Sequence, residues 1–177
     1  IGELLDRAVE LNMPAVAVTE HGNMFSAVVF HDQARKRGIK PILGCEVYVA
    51  PGDRRDKSGT PGETANHLVL LAETNEGYHN LIKLVSAGYT EGFYYRPRID
   101  LEMLQAHREG LIATSACLGG PVANNFLQNR PEIARSFAGT LAEIFGRERF
   151  FIEVQDHGIR EQVETNRELL PLAKSLG

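Results

Sequence analysis

The sequence predicts an α/β protein built on a parallel sheet, open or closed into a barrel. Short apolar runs recur along the chain, and between them apolar residues fall at helical spacing. Glycine and proline mark most of the changes between the two patterns, and no segment of the sequence repeats another. The 177 residues are the size of one ordinary domain.

The elements follow in order. Leu4, Leu5, Ala8 and Leu11 share a helical face that is already running by Glu3. Ala15 to Thr19 is short and apolar, as a buried parallel strand should be, and it stops at the turn Glu20-His21-Gly22-Asn23. A helix from about Met24 to Arg37 turns Ala27, Phe30 and Ala34 inward, and Gly38 closes it. Pro41 to Leu43 and Val47 to Val49 are extended, flanking Gly44-Cys45-Glu46, and the segment from Pro51 to Asn66 is the one long loop. His67 to Ala72 forms the third strand, reached without a helix, which allows a local hairpin. Asn75 is a plausible cap for a helix carrying Tyr78, Leu81, Ile82 and Val85, and Asp100 can cap a short helix ending near His107. Leu111 to Thr114 is the fourth strand. Pro121 and Pro131 open two helices, the second with Ile133, Phe137, Leu141 and Ile144 inward. Phe150 to Val154 is the fifth strand, and a last helix shows Val163, Leu170 and Ala173 on one face.

Composition narrows the class. Hydrophobic residues make up 43% and charged residues 24%, which excludes disorder and low complexity. No apolar run approaches the roughly 18 residues that cross a bilayer, and no secretory signal opens the chain. Two cysteines are too few for a disulfide scaffold, so a reducing, cytoplasmic setting is the default. A formal charge of -4 argues against a free-standing, non-specific DNA binder. The chain opens at Ile1 on a helix with no capping residue and stops at Gly177 after a helix, which reads as an internal fragment of a longer protein.

Groups that ligate metal or move protons recur just past strand ends: Glu20-His21, then Cys117, then His157. Loops at the carboxyl ends of strands build the active sites of such folds. Glu46 lies among apolar neighbours, where a carboxylate must be paired, hydrogen-bonded or bound to a cation, and His67 opens an apolar strand. Carboxylate, imidazole and thiolate together suit zinc or another borderline cation better than magnesium or calcium. Arg98 is a candidate phosphate clamp because its fork matches phosphate oxygens.

A family resemblance sharpens these readings. Thr19-Glu20-His21-Gly22-Asn23-Met24-Phe25, the run Gly38 to Val49, and His67 to Ala72 resemble the polymerase and histidinol phosphatase (PHP) family, in the branch at the N-terminus of bacterial DNA polymerase III α subunits. The likeness continues through Gly77 to Leu81, Pro97-Arg98-Ile99-Asp100, Ser115 to Gly119 and Phe151 to Gly158, in order across essentially the whole chain. It implies a distorted (β/α)7 TIM-like barrel, incomplete at both ends over residues 1–177. It also implies a cluster of two or three zinc or manganese ions, and magnesium for the parent polymerase. The family's ligand positions fall on His21, Glu46, His67 and Cys117. Its opening H-x-H and closing D-x-H motifs would lie before Ile1 and after Gly177, so the piece alone should be inactive or metal-poor. Glu20 stands where Asp is usual and is not expected to be a ligand.

The implied function is DNA replication, as part of a nucleotidyltransferase with a metal-dependent phosphoesterase or 3′-5′ exonuclease site. DNA, a proofreading exonuclease and other replisome subunits would be its partners, with no membrane. The alternatives are a non-catalytic domain docking the proofreading exonuclease, or a stand-alone phosphatase of the histidinol-phosphate type. Other residues keep bland readings. His157 orders its loop, His31, His79 and His107 are surface or packing residues, and Cys45 is a small buried hydrophobe. Arg35-Lys36-Arg37 and Arg54-Arg55-Asp56-Lys57 are solvated, and Tyr94-Tyr95, near Arg96, have rings that could stack on a base, although loop aromatics ordinarily pack locally.

Overall fold

The computed structural model describes residues 1–60 and 65–177. Its elements run α1 (Gly2–Glu10), β1 (Ala15–His21), α2 (Ala27–Lys36), β2 (Lys40–Val49), β3 (Asn66–Ala72), α3 (Asn75–Thr90) and β4 (Arg98–Ile99). Then come α4 (Leu101–Ala106), β5 (Leu111–Thr114), α5 (Pro121–Leu127), α6 (Pro131–Phe145), β6 (Phe150–Phe151) and α7 (Arg160–Leu176). One sheet holds all six strands in the order β1-β2-β3-β5-β6, with β4 paired to the far end of β2. No helix among the described residues is long and apolar enough to cross a membrane.

The α/β class stands, but the sheet is mixed rather than all parallel. β1-β2, β2-β4 and β5-β6 run parallel, whereas β3 is antiparallel to both β2 and β5. The reason is the connection. A parallel neighbour needs a crossover, usually a helix, and β3 follows β2 through a loop, so it returns alongside in the opposite sense. Residues 61–64 of the Pro51 to Asn66 loop lie outside the described residues. β2 is one continuous strand through Gly44-Cys45-Glu46, and its second half is buried throughout. β6 is shorter than the expected Phe150 to Val154 strand.

A large core gathers β2, β3 and β5 against α3, α5, α6 and α7, and a smaller one gathers α1 and α2 on Ile39, with Val16 and Val18 of β1 packed alongside. Leu68, Leu70, Leu81, Leu84, Leu111 and Leu141 are fully buried, each stabilising the fold by about 1.5–3 kcal/mol relative to exposure. Three helical faces are rotated from the sequence reading. In α1, Leu5 and Ala8 are buried while Leu4 is exposed, as is Leu11 just past the helix end. In α6, Ala134 and Ala138 take the inner row and Ile133 faces out. In α7, Leu169 and Leu172 are buried with Gln162 and Thr165, and Val163 and Leu170 are exposed. Thr165 can turn inward because its hydroxyl bonds the Glu161 and Gln162 carbonyls of its own helix. The cap of α3 is Thr74 rather than Asn75, its hydroxyl accepting from the Gly77 amide at 3.1 Å.

A second buried feature is ionic. Asp100 accepts from the Met103 amide at 3.0 Å, capping α4 as expected, and its other oxygen accepts from the Arg54 amide at 3.1 Å and guanidinium at 2.8 Å. Arg54 also donates to Glu91 at 2.8 Å, so it is buried while its neighbours Arg55 and Lys57 stay exposed as expected. Arg98 is the largest fully buried side chain, and it donates to the carbonyls of Gly92, Arg54 and Asp56. A permanently charged fork needs such partners to be buried at all. Those bonds make Arg98 a clasp for the loop after β2, and the phosphate role read from its chemistry is corrected accordingly.

Candidate metal centre

Strand register assembles the site. His21, the last residue of β1, is the parallel partner of Glu46 in β2. Two residues on, Tyr48 shares the face of Glu46, and its antiparallel partner is His67 in β3. Cys117 lies just past β5, whose Thr114 pairs with Val69 of β3. The His67 amide donates to the Gly119 carbonyl at 3.0 Å, tying the Cys117 turn to the start of β3. Four residues spread from 21 to 117 thus meet at one end of the sheet.

Glu46, His67 and Cys117 each offer a ligand atom, and these atoms lie within 4.8 Å of one another. His67 Nδ1 is 3.1 Å from Glu46 Oε1 and 3.4 Å from Cys117 Sγ. His21 Nε2 stands 3.8 Å from the same Glu46 oxygen, with its side chain largely exposed. The Gly119 amide donates to Cys117 Sγ at 3.4 Å. The turn fits this closely because Gly119 has no side chain, since a Cβ there would stand 3.0 Å from His67 Nδ1.

These groups polarise one another. Contact with Cys117 and then Glu46 raises the His67 pKa to about 9, against the desolvation that would lower it. The same imidazolium holds the Cys117 thiol and the Glu46 carboxyl below their usual ranges. Among the three, the proton is thus drawn toward His67 and away from Cys117 and Glu46. Glu46 Oε1 is nevertheless buried without a properly directed hydrogen bond among the described residues. Its close contact is His67 Nδ1, the one ring nitrogen that also faces Cys117 Sγ. A buried, orphaned carboxylate oxygen beside imidazole and thiolate donors fits a borderline divalent cation such as zinc.

The neighbouring candidates do other work. Glu20 Oε2 accepts from the amide and hydroxyl of Ser26 at the start of α2, so it is not part of the cluster. Burial pushes the Cys45 thiol up to about 12, and it bonds the Glu20 carbonyl, so it is an inert thiol. His157 bonds Gln162 at the start of α7 and orders its own loop. His31 and His79 are exposed on helices, and His107 ends α4. Tyr94 packs locally, its hydroxyl on the Gly59 carbonyl and its ring under Arg98. No role for the Arg96 side chain follows from the sequence, and its guanidinium lies over the Tyr48 ring at 5.3 Å. The Tyr48 ring in turn stands edge-on to His67 at 5.3 Å. Only the alternation along β2, which pairs the faces of Glu46 and Tyr48, hints at this neighbourhood.

Comparison with known proteins supplies the context. The PHP domain family matches residues 1–157. Curated relatives named DNA polymerase III subunit alpha align along nearly the whole chain. That of Borreliella burgdorferi is 43% identical over 178 residues, covering 100% of this chain and 15% of the relative. That of Deinococcus radiodurans is 49% identical over 168 residues, covering 93% of this chain and 12% of the relative. That of Thermus aquaticus is 46% identical over 166 residues, covering 93% and 14%. The chain therefore spans about a seventh of the length of the curated relatives it matches.

Proposed function

The chain belongs to the PHP domain family, and from that premise we propose that it is the PHP domain of a replicative DNA polymerase III α subunit whose metal site cleaves phosphoester bonds at DNA 3′ ends. The observation that carries this reading is the orphaned Glu46 oxygen beside His67 and Cys117. Burying a carboxylate without a directed partner is costly, and a bound cation removes the cost. We read residues 1–177 as part of a distorted (β/α)7 barrel, with further strands of the parent chain bringing the family's H-x-H and D-x-H motifs to the same mouth.

His21, Glu46, His67 and Cys117 would hold zinc or manganese. Bound cations of this kind bring the pKa of a water toward 7 and neutralise charge on phosphate oxygens. The residues supply the rest. Cys117 is already biased to the thiolate that ligates, and His67 gives up its proton to do so. Glu46 is fixed by the interior of β2 and has one oxygen uncommitted. His21 is exposed at the mouth, where it can swing onto a cation or meet the substrate.

The parent polymerase, assayed with a 3′-labelled primer in zinc or manganese, should trim the primer, and Glu46→Ala and His21→Ala should lose that trimming. Equal trimming by all three proteins would remove the hydrolytic reading. A docking role is favoured by a different observation: Leu4, Leu11, Phe25, Val28 and Val29 are exposed on and around α1 and α2. If the domain instead braces the polymerase or seats its proofreading exonuclease, substitutions there weaken partner binding and leave trimming intact.

A further inference from the structure

We propose that Arg96 is the phosphate-binding residue of this site, the anchor for the phosphate of the strand or ester being cut. The inference rests on the phosphoesterase reading above and names the group that would hold its substrate.

Arginines cluster around this mouth, but they are not equivalent. Arg54 and Arg98 are buried and spent on Asp100, Glu91 and backbone carbonyls. Arg55 is exposed but paired with Glu91 at 3.1 Å. Arg96 is exposed, and among the described residues no carboxylate pairs with it. Its guanidinium rests on the Tyr48 ring, whose edge meets the His67 imidazole, so one ring separates it from the cluster.

The backbone holds it there. Tyr95 adopts a left-handed φ of 58°, unusual for a bulky residue, and turns the chain between Tyr94 and Arg96. The Tyr94 amide donates to the Arg96 carbonyl at 3.0 Å, closing that turn. On the other side, Pro97 packs against the turn that carries His21. A Cβ on Gly22 would meet both Pro97 Cγ and Tyr48 Cε2 at 2.9 Å, so only glycine permits the approach. Arg96 is therefore fastened between the His21 turn and the ring beside His67, with its fork open to solvent. A planar fork stacked on an aromatic face keeps its donors free for phosphate oxygens, which a paired arginine cannot do. Tyr95, its exposed neighbour in sequence, offers a ring on which an unpaired base can stack.

The test uses the full parent protein and equilibrium dialysis of labelled inorganic phosphate, with zinc and in chelator. Arg96→Ala should weaken phosphate binding by about tenfold in both conditions and leave zinc content unchanged, and Arg96→Lys should fall between. Arg35→Ala, on α2, is the control for loss of charge alone. Phosphate binding by Arg96→Ala equal to the unsubstituted protein, or an equal loss in Arg35→Ala, overturns the proposal. If the protein takes up no zinc, the metal reading fails, and the chelator arm still decides Arg96. A short single strand with nuclease-resistant linkages then separates two sources of the same chemistry. Displacement of phosphate points to a nucleic-acid end, and no displacement points to a small phosphoester, with Arg96 as the anchor either way.

Discussion

Two charged clusters are buried at the same end of β2, and they are built on opposite terms. Around Arg54, Asp100, Glu91 and Arg98, every strong donor shown is matched by a carboxylate or a carbonyl, and the result is a fixed loop. Around Glu46, His67 and Cys117, a carboxylate oxygen is buried without a directed partner, and the single His67 Nδ1 faces both it and Cys117 Sγ. Breaking a satisfied network should cost stability, whereas breaking an under-satisfied one should cost binding. The contrast separates the two clusters by how their charges are partnered, without reference to any family.

The largest effect expected is in the satisfied network. Asp100→Ala removes a helix cap and leaves the buried Arg54 short of its partner, which should lower stability by about 3–5 kcal/mol. Denaturant unfolding reads this directly, and faster tryptic cleavage after Arg54, Arg55 and Lys57 should accompany it. A loss under about 1 kcal/mol would mean that the network is ornamental and would break the comparison.

In the under-satisfied cluster the same type of substitution should act on binding. Glu46→Gln should lower zinc affinity about a hundredfold, or about 2.7 kcal/mol. In chelator it should lower unfolding stability by less than about 1 kcal/mol, because the substitution weakens one ion pair and breaks no directed hydrogen bond of Glu46 Oε1. Competition with a chromophoric chelator measures the first, and denaturation the second.

The pH dependence sharpens the contrast further. Burial pushes the Asp100 carboxyl up, but the Met103 and Arg54 amides and the Arg54 guanidinium outweigh it and hold its pKa below the ordinary value of 3.8. A group depressed in the folded state contributes stability that is present above its unfolded pKa and is lost as pH falls through the folded one. The network should therefore hold at neutral pH and fail only below about pH 4. Asp100→Asn should flatten that acid limb in a series of melts monitored by circular dichroism.

What the sequence revealed, and what it hid, follows the same physics. Apolar periodicity located nearly every helix and strand, and the absence of a helix between β2 and β3 allowed the hairpin that is observed. β4 escaped notice because a two-residue strand carries no periodicity. The α7 face was misplaced because Gln162 and Thr165 are buried through hydrogen bonds, which hydropathy cannot anticipate. Glu46, His67 and Cys117 were legible as ligand chemistry, yet only the β2-β3 register shows how they meet. Arg98 and Arg96 are the clearest case. Both have the same fork, and only the positive φ of Tyr95 and the bonds of the loop decide which is buried and which is open.

The smallest effect expected is also the most discriminating. Gly119 has an ordinary negative φ, so alanine suits its backbone and should stabilise the chain by about 0.4–1 kcal/mol if space were the only question. The added Cβ would stand 3.0 Å from His67 Nδ1, the atom that faces both Glu46 and Cys117. His67 must shift by a few tenths of an ångström to admit it. A fold tolerates so small a displacement, but a ligand geometry does not, because metal-ligand distances hold to about 0.2 Å. Gly119→Ala should therefore leave the melting temperature nearly unchanged and weaken zinc binding several-fold. A variant that melts early but binds zinc normally would place the His67 contact among the scaffolding interactions, and the distinction between the two clusters would then have to be redrawn.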